Sequence, residues 1–420
     1  MGSENILNVL RTSTVLLKPT DTQSLSEYAE QSAILWNIAN YERRKAFYEH
    51  MKMPSYALQC RELKHTEPFK KLGTCKAQAL LSKLNEAWQS FHALLRLKKK
   101  GKLPPHIRKI RPPKYWKRNG KREAKAFYVR NDGWRMNEKE ISISRNRIPY
   151  QCGELWVGKW GRLEVIKDEI NRRWYAHIPV EVDWQPPSRS QTDAKKASLD
   201  LGICNLATLY IEGERPIIYS GRAVLSDWIY HTKEIADKQS KLPRKRHASK
   251  RIRLQFRRRQ RRLKHAINAM LRSIFSHLEQ GNVSELYIGD LNGIREEANH
   301  GKRGNQKLHL FWAYDKIVKR ILELGEEYGI IVKKVSERDT SRTCCLCGKQ
   351  HNGRIERGLM ICREKHKSIN ADVNGAVNIL NVAVKRSPPV LSTDSYEGKT
   401  SGSGLMAQPL PLRWNYHEWS

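Results

Sequence analysis

The fold of this chain is decided by residues 198–220, which read SLDLGICNLATLYIEGERPIIYS. Apolar runs predict three short β-strands here: one ending near Cys204, one over Leu206–Ile211 and one around Ile217–Tyr219. Asp200 lies inside the first strand, where a carboxylate loses its hydration unless a cation compensates for it. Asp200 is therefore either a cation ligand or an ordinary turn residue close to a glycine.

The hydrophobic pattern alternates between strand and helix periods downstream of these strands. Residues 284–294 (SELYIGDLNGI) predict a buried strand, residues 309–329 predict an amphipathic helix, and residues 330–337 (IIVKKVSE) predict a further strand that ends in Glu337. Alternation of this kind predicts an α/β sheet that carries helices on its faces.

Four of the eight cysteines cluster in the last quarter of the chain, which indicates a metal site rather than a disulfide framework. Cys344 and Cys347 form a C-x-x-C pair, and Cys362 and His366 follow after a loop. Together they supply three sulfurs and one nitrogen, a set that suits a tetrahedral, structural Zn²⁺. Cys345 is not expected to share the ion, because adjacent cysteines rarely bind one ion with good geometry. The alternative is a group of reduced, packed thiols without metal.

A final helix is predicted directly after these cysteines by residues 369–380, INADVNGAVNIL. Asp372 lies at its N-terminal end, and taken alone it is better explained as a helix N-cap than as a site residue. The order of the parts favours a shared site: an acid in the first strand, acids at the ends of later strands, a cysteine cluster, and an acid that opens the last helix.

The chain carries a large excess of positive charge. Lys and Arg total 78 against 43 Asp and Glu, a formal net charge of +35 with a pI near 10.0. Such an excess favours a polyanionic partner, because it otherwise destabilises the compact state by self-repulsion. A protein that only coats nucleic acid is the simplest alternative. No run of 18 apolar residues and no secretory signal are present, which predicts neither a membrane partner nor export.

The densest basic stretch is residues 241–265, with thirteen Lys or Arg and no acid. Its apolar residues keep a helical period, so we expect one face to pack and the others to present cations. A solvated helix face usually mixes acids with bases, so the pattern favours a nucleic-acid backbone over bulk water as the partner.

The N-terminal half contains a different set of elements. Residues 9–19 predict a strand, residues 24–97 contain two amphipathic helices, and residues 127–182 alternate with period two and predict an antiparallel sheet or small barrel. The helices therefore form an insertion after the first strand. The basic loop that follows them carries Tyr115 and Trp116, which either stack on bases or pack within the protein.

Taken together, these motifs resemble those of a known family. The second half resembles the RuvC nuclease of TnpB, the transposon-encoded RNA-guided nuclease family, and of the related compact type V CRISPR effectors. The matching segments are DLGICNLATL (200–209), TSRTCCLCG (340–348) and NADVNGAVNIL (370–380), in the family's order. The resemblance is strongest over residues 198–382 and only architectural before them.

The resemblance implies an α/β RNase H-like (RuvC) nuclease domain with an inserted zinc ribbon, preceded by a β-barrel wedge domain with a helical recognition insertion. The expected boundaries are 1–20 and 121–185 for the wedge-like barrel, 21–120 for the insertion, 186–196 for a linker, 197–340 and 368–385 for the nuclease, 341–367 for the ribbon, and 386–420 for a largely disordered tail.

The resemblance also implies three metal-binding acids, which raises a difficulty at one position. The family pattern has Glu-Asp-Leu at the end of the fourth strand, where this chain has Gly289, Asp290 and Leu291. Asp290 or Glu337 takes the missing role, or the site is inactive. We favour Glu337, because the fourth and fifth strands are neighbours in such a sheet and a Glu is long enough to reach across.

The implied catalytic set is therefore Asp200, Glu337 and Asp372, which would bind two Mg²⁺ or Mn²⁺ ions. The implied function is RNA-guided DNA cleavage, with guide RNA and target DNA as partners and no obligate protein partner, in the prokaryotic cytoplasm near the nucleoid. Two alternatives stay open. One is a guided DNA-binding protein without cleavage, which retention of Asp200 and Asp372 argues against. The other is a guide-free resolvase or transposase, which the large basic N-terminal half argues against.

Overall fold

The chain divides into two compact units, Met1–Gln185 and Pro186–Ser420. The computed structural model describes residues 7–104, 107, 109–118, 121–153, 155–184, 194–243, 248–290, 301–307, 311–312, 314–337, 339–350, 355–356, 358–362, 364, 367–385 and 408–420.

The first unit begins with a strand and a group of helices and continues as a series of strands. In chain order its elements are β1 (Leu7–Leu17), α1 (Gln23–Tyr48), α2 (Tyr56–Leu63), α3 (Glu67–Leu72), α4 (Thr74–Lys99), β2 (Lys117–Arg118), β3 (Lys121–Arg122), β4 (Ala126–Val129), a 3₁₀ turn (Asn131–Gly133), β5 (Trp134–Met136), β6 (Glu140–Ile143), β7 (Asn146–Gln151), β8 (Lys159–Trp160), β9 (Leu163–Asp168) and β10 (Arg173–Trp184).

An antiparallel sheet forms the body of this unit, with the strand order β4-β9-β10-β1-β7-β6-β5 and β8 added to β10. The predicted antiparallel sheet is confirmed, and its longest pairing runs from Leu7 opposite Trp184 to Leu17 opposite Trp174. Alternate residues of both strands, such as Val15 and Ile178, face a common core. No pairing joins β4 to β5 among the described residues, so closure into a wedge-like barrel stays a proposal.

Helices α1 to α4 lie in the chain between β1 and β2, where the sequence predicts an insertion, although α2 and α3 have no counterpart in that prediction. Leu35, Leu80 and Trp88 are among the residues of their own core. Trp116 belongs to this core as well: it is 5% exposed and stacks on Trp36 with ring centroids 4.9 Å apart. The interpretation of Trp116 as a base-stacking residue is therefore wrong, because burial withdraws its ring from any ligand.

The second unit alternates strands and helices. Its elements are β11 (Lys195–Asp200), β12 (Asn205–Ile211), β13 (Ile217–Ser220), α5 (Arg222–Ser240), α6 (Lys250–Gln280), β14 (Val283–Asp290), α7 (Gly301–Gln306), α8 (Tyr314–Tyr328), β15 (Ile331–Ser336), β16 (Ile355–Glu356), β17 (Leu359–Cys362), β18 (Lys367–Asn370), α9 (Ala371–Ala383) and β19 (Leu410–Arg413). Of the helices described in either unit, none combines the length and apolar character needed to cross a membrane.

The sheet of the second unit has the order β15-β14-β11-β12-β13-β19. The strands β11, β12 and β13 are antiparallel, whereas β14 and β15 run parallel to β11. This is the expected RNase H-like arrangement, with β11 at its centre. Successive residues of β11 face opposite sides: Leu199 packs in the core that α6 and α8 share, and Ser198 donates a hydrogen bond of 2.6 Å to the carbonyl of Ala376 in α9.

Several element boundaries differ from the sequence prediction; the basic helix, for example, begins at Lys250 instead of near residue 241. The first strand ends at Asp200 instead of near Cys204, because residues 201–204 form a tight turn in which the Gly202 N–H bonds the Leu206 carbonyl. The predicted linker 186–196 ends early, because Lys195 already pairs with β14; its first residues lie outside the described part of the chain.

The prediction of a largely disordered tail over 386–420 is wrong for its last thirteen residues, 408–420, while 386–407 lie outside the described residues. Strand β19 pairs in parallel with β13, from Ile217 opposite Leu410 to Ser220 opposite Arg413. Trp419 is buried and donates a hydrogen bond of 3.0 Å to the Ala266 carbonyl of α6. The apolar area of the tryptophans stabilises this order despite the Ser- and Gly-rich run before them.

Candidate metal sites

Asp200 ends the central strand on the face that α9 covers. A Cβ placed on Gly375 of α9 would lie 2.7 Å from Asp200 Oδ2, so glycine is what allows the helix to approach this carboxyl. Burial raises the pKa of Asp200 to about 7, and the nearby Asp372 adds to the rise, while the Leu201 N–H opposes it. A bound cation would favour the ionised form of this carboxyl and offset the effect of burial.

Asp372 lies in the first turn of α9 but does not cap the helix. The cap is Asn370, whose Oδ1 accepts hydrogen bonds from the N–H groups of Asp372 and Val373. The N-cap interpretation of Asp372 is therefore wrong. Its carboxylate instead accepts a hydrogen bond of 2.5 Å from Asn205 Nδ2, at the start of β12. This contact orients the carboxylate beside the turn that follows Asp200.

Glu337 directly follows β15, the neighbour of β14 in the sheet, where Gly289 lies opposite Val335. A Cβ placed on Gly289 would lie 1.4 Å from Glu337 Oε1 and 2.2 Å from its Cδ. The carboxylate of Glu337 therefore fills the space that a side chain at position 289 would occupy. That is the position at which the resemblance leads one to expect a glutamate, so an acid from the next strand takes the place of the absent one.

The surroundings of Glu337 are unfavourable to a bare carboxylate. Burial raises its pKa to about 8, with further contributions from the charges of Asp200 and Asp290. Its Oε1 is buried and makes no hydrogen bond with any described residue. An orphaned buried oxygen of this kind costs free energy unless a partner, such as a cation, is supplied.

Charges on neighbouring acids raise the pKa values of Asp200 and Glu337, but the oxygen atoms of the three acids do not cluster around one point. Asp372 raises the pKa of Asp200, and Asp200 raises that of Glu337. Among the described histidines, cysteines and acids, only a cysteine group has all its ligand atoms within 4.8 Å of one another. A wider spread fits two ions, which lie roughly 3.5–4 Å apart in two-metal sites, and oxygen ligands suit Mg²⁺ or Mn²⁺. The donor set and the orphaned oxygen therefore fit such ions.

We expect Asp200→Asn to stabilise the metal-free protein at about pH 8 by on the order of 2 kcal/mol, and to have little effect at about pH 4. The folded carboxyl holds its proton up to about pH 7, against an ordinary pKa of 3.8. The folded state therefore binds more protons than the unfolded state in this window, and the free energy of unfolding falls as pH rises. Thermal unfolding in chelator at the two pH values measures the effect, and equal midpoints at pH 8 would contradict it.

The cysteine group consists of Cys344, Cys347 and Cys362, whose Sγ atoms lie within 4.8 Å of one another. Burial raises the pKa of Cys344 to about 12, while the N–H groups of Leu346 and Cys347 oppose the rise. Zinc would offset that cost by binding the thiolate. Cys345 is buried but does not belong to the group. The predicted fourth ligand, His366, lies outside the described residues.

Two asparagines of α9 connect the helix that carries Asp372 to the segment that leads into the cysteines. The sequence did not suggest this role. Asn374 accepts a hydrogen bond of 2.8 Å from the Cys345 N–H and donates one of 2.9 Å to the Thr343 carbonyl. Asn378 donates to the carbonyls of Thr340, at 2.8 Å, and Thr343, at 2.6 Å. Their spacing of one helical turn on a buried face was the available signal. The helix that carries Asp372 is thereby fixed to the segment between Glu337 and the cysteines.

We expect Cys347→Ser to lose most of the bound zinc, because it removes one of the converging thiolates. Cys345→Ala is the matched control: this cysteine lies beside the group without belonging to it, so zinc content should stay near one ion per chain. Elemental analysis of metal-replete protein measures both. Well under one zinc per chain in the unaltered protein would contradict the zinc site, and unchanged zinc in His366→Ala would exclude only that ligand.

Comparison with known proteins gives matches along most of the chain. A family model described as "Probable transposase" (OrfB_IS605) matches residues 177–295, and one described as "Cas12f1-like, TNB domain" matches residues 314–379. TnpB-like protein ORF457 of Acidianus two-tailed virus is 34% identical over 409 residues, which cover 89% of this chain and 87% of that protein. A CRISPR-associated endodeoxyribonuclease Cas12f1 from an uncultured archaeon is 32% identical over 88 residues, 19% of this chain and 17% of that protein.

The fold is shared with a solved structure. The Cas12f1–sgRNA–target DNA complex, determined by cryo-electron microscopy, aligns with a TM-score of 0.54 and 14% identity, and the alignment covers 86% of this chain and 82% of that chain. At this identity the likeness concerns the fold alone. It extends over both units of the chain.

Proposed function

Because this chain belongs to the TnpB-like family, we propose that it is an RNA-guided DNA endonuclease whose nuclease site is formed by Asp200, Glu337 and Asp372. The observation that carries the proposal is the carboxylate of Glu337 in the space of a side chain at Gly289. If the site had lost its function, nothing would require a carboxylate from a different strand at that position.

The proposed partners are a guide RNA and a target DNA. The structural neighbour with the same fold is a complex with a guide RNA and target DNA, and the net charge of +35 suits such a load. Base pairing would supply sequence specificity, while the wedge-like sheet and the helical insertion would read a short target-adjacent motif and hold the heteroduplex. The place of action would be the prokaryotic cytoplasm, on the nucleoid.

In the proposed mechanism the three acids hold the catalytic ions. Two Mg²⁺ or Mn²⁺ ions, when bound, supply the charge that activates water and stabilises the departing 3′ oxygen. Asn205 holds Asp372 Oδ2 in a fixed direction through its hydrogen bond. Asp200 and Glu337 must lose their protons for the site to work. Because their pKa values are raised, the charge of a bound cation would favour this loss. The zinc ribbon would be structural and would fix α9 through Asn374 and Asn378.

The proposal is tested by purifying the protein, sequencing the RNA bound to it, and incubating the complex with a DNA that matches this RNA. We expect cleavage that needs both the matching sequence and Mg²⁺ or Mn²⁺. Cleavage without RNA would instead indicate a guide-free resolvase. Matched binding without cleavage would indicate a guided DNA-binding protein.

The long basic helix α6 is the proposed contact for nucleic-acid backbone, although two of its arginines serve the fold. Arg259 is 9% exposed and lies over the Trp228 ring at 4.9 Å, and Arg262 pairs with Asp227 of α5 at 2.7 Å. Arg262 is paired although the stretch itself carries no acid, because the neighbouring helix α5 supplies Asp227. Other arginines of α6, such as Arg251 and Arg258, are exposed.

We expect Arg251→Gln with Arg258→Gln to weaken nucleic-acid binding for every sequence and to flatten its salt dependence by about two in the log–log slope, since each lost phosphate contact removes about 0.9 on a duplex. The control is Lys238→Gln with Lys241→Gln, which changes the net charge equally but removes cations already paired with Glu234 and Asp237. Titrations at several salt concentrations measure the slopes. A slope equal to that of the control would place α6 away from nucleic acid.

A further inference from the structure

A groove of about 610 Å³ lies between α6 and α8, in the second unit. Its lining includes the apolar side chains of Leu263, Ile267 and Ile317, which pack in or against the core below. Around them stand the cations of both helices: Lys264, Arg272, Lys316, Lys319 and Arg320. The groove therefore combines an apolar floor with a basic rim.

Most of this basic rim has no partner in the part of the chain that the structure describes. Arg320 is held by Glu323, at 3.0 Å, and by Glu327, at 3.2 Å. The other four cations of the rim are exposed and make no ion pair or hydrogen bond with any residue that the structure describes: Lys264, Arg272, Lys316 and Lys319. Glu323, the acid in the lining, is already neutralised by Arg320. The groove therefore carries an excess of four positive charges.

The unpaired cations lie on both sides of the groove. Lys264 and Arg272 lie two turns apart on α6, and Lys316 and Lys319 lie three residues apart on α8, where like charges repel each other. Two facing rows of this kind are favourable once phosphates lie between them, because phosphate contacts release condensed counterions.

The groove lies on the opposite face of the sheet from the acids. In β11, Leu199 faces α6 and α8, whereas Ser198 faces α9, and Asp200 approaches Gly375 on that same side. A strand held between α6 and α8 is therefore separated from the proposed cleavage site by the sheet itself. This position suits a nucleic acid that stays bound without being cut.

We propose that the groove between α6 and α8 binds the sugar–phosphate backbone of the guide RNA. The inference rests on the proposed function, because that function supplies an RNA that must be retained while DNA is cut. The target DNA must reach the acids on the other face, and so the guide is the strand that the groove suits.

The first experiment measures RNA binding by a protein in which all four unpaired cations are replaced by Gln: Lys264, Arg272, Lys316 and Lys319. The control replaces with Gln four lysines that are already paired with acids, so that the net charge changes equally: Lys71, Lys238, Lys241 and Lys349. Thermal unfolding checks that both variants fold.

A single-stranded RNA serves as the probe, at several salt concentrations. We expect the groove variant to bind it roughly 100-fold more weakly than the control at physiological salt, with a slope smaller by about three, because each lost single-strand contact removes about 0.7. Affinity and slope equal to those of the control would overturn the proposal.

The second experiment identifies the strand. A photoreactive residue at position 319 is activated in the complex of the protein, the RNA that copurifies with it and the matching DNA. We expect the label on RNA; a label on DNA would overturn the assignment to the guide. Failure of the proposed function would look different, because DNA would stay intact with the unaltered protein whether or not the groove variant lost RNA.

Discussion

Glu337→Gln is expected to abolish DNA cleavage as completely as Asp200→Ala or Asp372→Ala, while guided DNA binding survives. The change removes a ligand and a charge from a site that must hold two dications. Losing one such electrostatic contribution commonly costs on the order of 3–4 kcal/mol of transition-state stabilisation, or roughly 100- to 1,000-fold in rate. Gln keeps the size of the side chain, so its fit into the space beside Gly289 is retained.

The control for this result is Asp290→Ala. Asp290 contributes to the raised pKa of Glu337, but Glu337 is the acid that reaches the space beside Gly289. We therefore expect cleavage by Asp290→Ala to fall only a few-fold, on the order of a kcal/mol or less. The reverse ranking, with Asp290 essential and Glu337 dispensable, would move the third acid to β14. Absence of metal-dependent cleavage by the unaltered protein would mean that the site is inactive.

The second large effect is expected at Gly289, where even one methyl group should stop cleavage. The Cβ of Gly289→Ala would lie 1.4 Å from Glu337 Oε1, so the carboxylate must leave its position. The atoms in the way belong to the end of a flexible side chain, so the carboxylate can turn aside and the unfolding midpoint should change little. Displacing the carboxylate should cost cleavage roughly as much as Glu337→Gln does. Cleavage rates and unfolding midpoints measure the two consequences, and full activity in Gly289→Ala would contradict the proposed geometry.

A pair of double variants separates the clash from the loss of the acid. Gly289→Ala with Glu337→Ala should fold normally, because the space is vacated, yet stay inactive. Gly289→Glu with Glu337→Ala should recover part of the cleavage, because the acid returns to the strand where the family pattern has it. If both double variants are equally inactive and well folded, an acid at position 289 cannot replace Glu337.

The sequence was most informative where a residue conflicts with its own surroundings. Asp200 stood out because it lies in an apolar strand, and Gly289 because a glycine stands where an acid was expected. The second feature is visible only against the family pattern, and the adjacency of the fourth and fifth strands in such a sheet then pointed to Glu337. The antiparallel sheet of the first unit and the α/β sheet of the second were predicted by period.

The remaining features depend on contacts between distant residues, which a local pattern does not contain. Trp419 bonds Ala266 across 153 positions of sequence, so nothing near either residue predicts the contact. Trp116 is buried because Trp36 lies against it, and Arg262 is paired because α5 brings Asp227 to it. The roles of Asn374 and Asn378 required knowing where the Thr340–Thr343 segment passes.

The C-terminal strand β19 has a consequence for the order of events during synthesis. Strand β13 is synthesised long before its partner at residues 410–413. At roughly 5–20 residues per second, the edge of β13 waits on the order of ten seconds or more without its neighbour. An unpaired edge is a template for pairing with other chains. Nascent chains crowded on one messenger RNA would be exposed to that risk.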